Sequence, residues 1–136
     1  MKNSELISYA INSLENAYAP YSEFKVGAAL LCENGNVYTG CNVENASFSA
    51  TNCAERTAFF KAISEGERAF KKIAVVAFKN GKINEYISPC GVCRQVMAEF
   101  CTDDFEIVLA KSTSDYVTYK LSDLLPNSFS SKNLGE

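Results

Sequence analysis

The chain has 136 residues, 47% of them apolar and 21% charged, with 13 basic against 16 acidic side chains and a formal net charge of −3. That much apolar material suits one compact domain over residues 1–136, and so even a charge balance excludes a disordered charged tail and leaves no footprint for nucleic acid. Histidine is absent, which excludes Ser-His-Asp triads, papain-like Cys-His pairs and histidine-held metals; the longest apolar run, Val26 to Cys32, is far short of the roughly 20 residues of a membrane span.

In chain order, Leu6, Ile7, Ala10, Ile11, Leu14 and Ala17 recur at three- and four-residue intervals. They predict an amphipathic helix over residues 4–18, with Asn3 as N-cap and Ala19-Pro20 at its end. Phe24 to Cys32 and Val37 to Val43 read as strands joined at Asn34-Gly35, a β-hairpin. Good helix formers from Cys53 to Ser64 predict a second helix, closed by Glu65-Gly66. The continuous apolar run Ile73 to Phe78 fits a strand buried on both faces, with Asn80-Gly81 marking the turn beyond it. After Ser88-Pro89 the positions Val92, Val96, Met97 and Phe100 predict a third helix. Glu106 to Ala110 and Val117 to Leu121 follow as short strands, Ser122 caps a last helical turn, and residues 130–136 read as a loose polar tail. The order helix, hairpin, helix, strand, helix, strand, strand describes an α/β fold, one mixed sheet with helices on its faces. The polar opening Met1 to Glu5 has no apolar segment behind it, so no secretory signal is expected and the chain reads as cytoplasmic.

Six cysteines occur, at positions 32, 41, 53, 90, 93 and 101. In a reducing compartment they read as metal ligands or buried thiols rather than as a disulfide framework. Cys53, Cys90 and Cys93 fall where two helices are predicted to begin. There the partial positive charge and unpaired N–H groups of the helix favour the thiolate that metal binding requires. Cys90 and Cys93 have the spacing of a chelating pair, and three thiolates leave the fourth position of a tetrahedral zinc open, as a catalytic site needs. Glu55, two residues past Cys53, is placed beside such a metal as a general acid/base. Three thiolates around one zinc leave a net negative centre, for which Arg56 and Arg94 are candidate hydrogen-bond donors to sulfur. A Cys-x-x-Cys alone also fits a redox pair or half of a structural site. Cys32, Cys41 and Cys101, with Phe70, Phe78, Phe100 and Phe105, read as core.

Cys53-Ala54-Glu55 joined to Pro89-Cys90-Gly91-Val92-Cys93, with 36 residues between Cys53 and Cys90, is the zinc-deaminase pattern with three cysteines as ligands. With Ala19-Pro20-Tyr21-Ser22, Phe24 to Ala29, Gly40 to Ala46 and Leu124 to Phe129, it resembles the cytidine deaminases of the small homotetrameric type over nearly the whole chain. Deaminases of dCMP, tRNA adenosine or single-stranded DNA use histidine as first ligand, which this chain lacks.

The resemblance implies a three-layer α/β/α fold with a mixed five-stranded sheet and one zinc per chain held by Cys53, Cys90 and Cys93. It implies hydrolytic deamination of cytidine and 2′-deoxycytidine to the uridine forms, with loss of ammonia, in pyrimidine salvage. Glu55 becomes the proton shuttle and Arg56 a partner of the metal-binding sulfurs. Asn42 and Glu44, with Val43 between them, read the sugar; Phe24 packs on the nucleoside and the Ala54 backbone holds the base. Phe129 reaches a neighbouring subunit's site, and Phe48, where the family usually has tyrosine, packs across the same boundary. A homotetramer with shared sites and a small nucleoside substrate follow, with no nucleic-acid or membrane partner. The rivals are a deaminase of a cytosine antibiotic such as blasticidin S, which resembles this chain in the same zinc motifs, and a non-catalytic structural zinc protein with Cys41 as fourth ligand.

Overall fold

The computed structural model describes residues 1–135. Its elements are α1 (Asn3–Ser13), β1 (Lys25–Cys32), β2 (Val37–Cys41), α2 (Ala54–Ser64), β3 (Phe70–Phe78), α3 (Gly91–Phe100), β4 (Glu106–Ala110), β5 (Tyr116–Lys120) and α4 (Leu121–Leu124), with short 3-10 turns at Leu14–Asn16, Phe48–Ala50 and Ser131–Leu134. The five strands form one mixed sheet in the order β2-β1-β3-β4-β5, in which β3 and β4 run parallel and the other neighbours antiparallel. The parallel pair is joined through α3, as such a pair requires a crossover.

Side chains alternate across a strand, so each central strand supplies two cores. On one face Ala28, Leu30, Ile73, Val75, Ile107 and Leu109 pack against Ala58, Phe59 and Ala62 of α2 and Met97 of α3. On the other, Ala29, Leu31, Ala74, Val76, Val108 and Ala110 pack under Leu6, Ile7, Ala10 and Leu14 of α1 and the turn behind it. Cover on both sides explains why β1 and β3 read as unbroken apolar runs. Edge strand β5 has no such cover, and most of its residues are exposed.

Several expected details differ. The first helix starts on Lys2 as N-cap rather than Asn3. Asn3 lies inside it, its Oδ1 accepting from Lys72 Nζ at 2.9 Å. The last helical turn has Lys120 rather than Ser122 as its N-cap, and Asp123 Oδ2 inside the turn accepts from the Lys120 N–H at 2.9 Å. Strand β3 begins at Phe70, which pairs with Cys32 beyond a register shift in β1. Where a loose tail was expected, Ser130 caps the turn Ser131–Leu134, its Oγ accepting from the Lys132 N–H at 3.3 Å; Glu136 lies outside the described residues.

Two glycines set how closely helices approach. A Cβ at Gly27 would stand 2.2 Å from the Ala10 carbonyl oxygen in α1, and one at Gly40 would stand 2.4 Å from the Ala54 carbonyl oxygen and 2.5 Å from the Ala58 nitrogen in α2. Neither gap admits a methyl group. Gly40→Ala is therefore expected to cost about 1–3 kcal/mol through displacement of α2, read from the urea midpoint with the slope of the transition unchanged.

Candidate active site

Helix α2 begins at Ala54 with Cys53 as N-cap, and α3 begins at Gly91 with Cys90 as N-cap. Both cap residues are extended, and neither thiol is used as a cap. The sulfurs of these two residues and of Cys93 lie close together. Cys53 Sγ lies 3.7 Å from Cys90 Sγ, which lies 3.5 Å from Cys93 Sγ, and all three fall within 4.8 Å of one another. Zinc-thiolate bonds of about 2.3 Å in a tetrahedron hold sulfurs about 3.8 Å apart, so the donor set fits that ion in spacing as well as in softness. All six cysteines are free.

The electrostatics of the cluster are uneven. Arg56, one turn along α2 from Cys53, donates from Nη2 to Cys53 Sγ at 3.3 Å. Hydrogen bonding from Cys93, then from Arg56 and Cys90, holds the Cys53 thiol down at about 5 against the opposing effect of burial. Cys93 moves the other way, because it donates to Cys53 and is itself buried. The Nε of Arg56 is the one buried side-chain nitrogen or oxygen without a partner among the described residues. A guanidinium set beside Cys53 and Cys93 is suited to a cluster that carries negative charge. Arg94 behaves differently, donating to the carbonyls of Pro89 at 2.8 Å and Leu124 at 2.6 Å and fixing the entry to α3 rather than touching sulfur.

Glu55 is only 4% exposed, and burial pushes its carboxyl up to about 7. It lines a cleft of about 490 Å³ together with Cys53, Cys90, Ala54, Phe24 and Asn42, a volume within the range of small-ligand sites. Ala54 is the first residue of α2, so its N–H has no partner inside the helix and is available at the cleft.

This chain matches the family model described as "Cytidine and deoxycytidylate deaminase zinc-binding region" over residues 1–109. It belongs to that family. It is 50% identical to a cytidine deaminase of Sporosarcina psychrophila over 98% of this chain and 96% of that one, and 48% identical to one of Halalkalibacterium halodurans over the whole of both. Among solved structures, the cytidine deaminase of Burkholderia pseudomallei superposes with a TM-score of 0.86 at 49% identity, over 95% of this chain and 100% of that one. That of Mycobacterium tuberculosis gives 0.78 at 38%, over 92% and 94%. The deaminase fold expected from the sequence is thus that of the family, and the cluster of Cys53, Cys90 and Cys93 could hold the metal of its zinc-binding region.

The deaminase residues expected around the sugar are tightly held. Asn42 is buried, its Oδ1 accepting from the Val26 N–H at 2.9 Å and its Nδ2 donating to the Phe24 carbonyl at 2.8 Å. One acceptor lone pair and one amide hydrogen remain for a ligand. Glu44 Oε1 accepts from the N–H groups of Tyr21 at 3.0 Å and Ser22 at 3.1 Å, and its Oε2 from the Ser22 hydroxyl. Those bonds, the hydroxyl first, hold its carboxyl below the usual range. Val43 between them exchanges backbone hydrogen bonds with Asn52, which ties the end of β2 to the residue before Cys53.

Phe48 and Phe129 do not line this cleft. They are 81% and 60% exposed, and the Phe129 carbonyl accepts from Gln95 Nε2 at 2.8 Å. Cys41, the possible fourth ligand, is not part of the sulfur cluster. Ser22, Ile87 and Lys79 line the cleft although the sequence reading assigned them nothing. Ser22 carried a signal as part of Ala19-Pro20-Tyr21-Ser22, and Lys79 through its place beside the Asn80-Gly81 turn.

Arg56→Ala is expected to weaken metal affinity about 10–100-fold in a chelator competition, by removing the donor to Cys53. Cys41→Ser is expected to retain one equivalent of zinc by metal analysis; loss of zinc would restore the four-cysteine reading.

Proposed function

We propose that this chain hydrolytically deaminates cytidine and 2′-deoxycytidine to uridine and 2′-deoxyuridine, with release of ammonia. Supporting this above all is one juxtaposition: three mutually close thiols at two helix starts, with the buried Glu55 carboxyl opening into the same cleft. Cys53, Cys90 and Cys93 hold zinc, which supplies a Lewis acid able to activate water at neutral pH. Glu55 accepts a proton from the attacking water and delivers it to N3 of the base, then takes the proton of the hydroxyl formed at C4 and passes it to the amine, which leaves as ammonia as the C4 carbonyl forms. Fixed on the first turn of α2, Glu55 has little freedom to turn away from the cleft. The Ala54 N–H orients the pyrimidine, Phe24 packs on it, and Asn42 and Glu44, flanking Val43, receive the sugar 3′-hydroxyl. Arg56 offsets the charge of the sulfurs without touching substrate.

The chain acts as one domain over residues 1–136. The exposed rings of Phe48 and Phe129 support assembly with further copies, and we assign a homotetramer in which these rings cover a neighbour's site. Phenylalanine at position 48 keeps the packing of the family's usual tyrosine but cannot donate a hydrogen bond. No helix of the described residues is long and apolar enough to cross a membrane; we assign the enzyme to the cytoplasm and to pyrimidine salvage.

Adding cytidine to the zinc-loaded protein is expected to bleach the cytosine absorption band and release ammonia. Glu55→Gln should keep its zinc and lose about 10²–10⁴-fold in turnover. A variant with near-normal rate would remove Glu55 from this role, and a wild-type chain that carries zinc but leaves cytidine intact would remove the substrate.

A further inference from the structure

Strand β3 ends at Phe78, and the next residue is clamped by a two-residue turn. The Lys79 N–H donates to the Lys82 carbonyl at 2.9 Å, and the Lys82 N–H donates back to the Lys79 carbonyl at 3.1 Å. Asn80 and Gly81 between them have φ of 53° and 78°. Positive φ at both centres is the pattern of a type I′ turn, for which Asn-Gly is a preferred pair. Lys79 therefore leaves the sheet from a fixed backbone. The register of β3 sets where that point falls, because Phe78 lies opposite Lys25, the neighbour of Phe24.

From there the Lys79 ammonium stands 5.7 Å from the centroid of the Phe24 ring, within cation–π range. The side chain lines the cleft of Cys53 and Glu55, and also an adjoining polar hollow of about 340 Å³. It is the one lysine or arginine on the cleft wall. Glu44 and Glu55 line the cleft and Glu85 the hollow, yet Lys79 makes no ion pair among the described residues. Its marked partner is the aromatic ring.

We propose that Lys79 is a substrate-positioning residue that acts through Phe24, its ammonium holding the ring in the orientation against which a neutral pyrimidine nucleoside packs. The inference rests on the deaminase reading for the identity of that nucleoside. A ring already held loses less freedom when the ligand arrives, so the gain lies in affinity. Ground and transition states share it equally, which places it in KM rather than kcat.

The test uses the zinc-loaded enzyme. Lys79→Met, which keeps the stem and removes the charge, is expected to raise KM for cytidine about fivefold with kcat within about twofold of wild type. Zinc content should stay at one per chain, and Kd for uridine should weaken by the same factor as KM. Lys79→Arg should restore both values, since a guanidinium also binds a π face. In a Phe24→Leu background, Lys79→Met should change KM by less than about twofold, because no ring remains to hold.

An unchanged KM in Lys79→Met beside an active wild type overturns the inference and leaves the deaminase reading intact. So does an equal effect in both backgrounds, or a fall in kcat that tracks lost zinc. A wild-type chain that binds uridine in a Lys79-dependent way but yields no ammonia from cytidine supports the role of Lys79 and overturns the deaminase reading instead.

Discussion

Because Gly40 has no side chain, the first turns of α2 come down onto β2 until a Cβ there would overlap both the Ala54 carbonyl and the Ala58 nitrogen. That approach fixes the start of α2, and with it Cys53, Ala54, Glu55 and Arg56, against the end of the strand that leads to Asn42 and Glu44. The residues proposed to bind the metal and the sugar thus share one structural reference. The second half of the cluster arrives by a different route. Strand β3 runs parallel to β4, and the segment that must cross between them opens α3 at Cys90, beside Cys53. Sulfurs that are 37 positions apart in sequence meet because the order of strands leaves those two helix starts together.

The site also separates charge by depth. Cys93 and Glu55 are almost fully buried, Cys90 is exposed, and Arg56 is sunk beside Cys53. A carboxyl taken out of water favours its neutral form, whereas a thiol that accepts hydrogen bonds from Cys93 and then from a guanidinium favours its charged one. Two acidic groups two residues apart are pushed in opposite directions by these surroundings. That contrast suits a helix turn on which one side chain holds a cation and the next but one moves a proton.

Much of this was legible in the sequence. The order of elements followed from hydrophobic periodicity and turn residues, and the cysteine pattern marked the candidate metal site. What escaped was the choice of partner across space. Asn3 and Ser122 were reasonable caps by residue type, but Lys72 engages Asn3 and the Asp123 carboxylate reaches the Lys120 N–H. Arg56 and Arg94 looked equivalent as partners for sulfur. Their partners separate them: Arg56 reaches Cys53 Sγ, whereas Arg94, although four residues from Cys90, is taken up by the carbonyls of Pro89 and Leu124. The Asn80-Gly81 turn was visible, but where it would deliver Lys79 depends on a strand register that local sequence does not encode.

The starts of α2 and α3 have a further consequence. Both helices open on cysteine, and neither thiol accepts a capping hydrogen bond from a backbone N–H of its own helix. Serine, threonine or aspartate there would satisfy a stray N–H and strengthen each helix by about 0.5–2 kcal/mol. The same exchange would replace two soft sulfur donors with hard oxygens. The chain thus forgoes helix stability at the two positions where its chemistry begins, a local trade between durability and activity that selection for thermal tolerance alone would reverse.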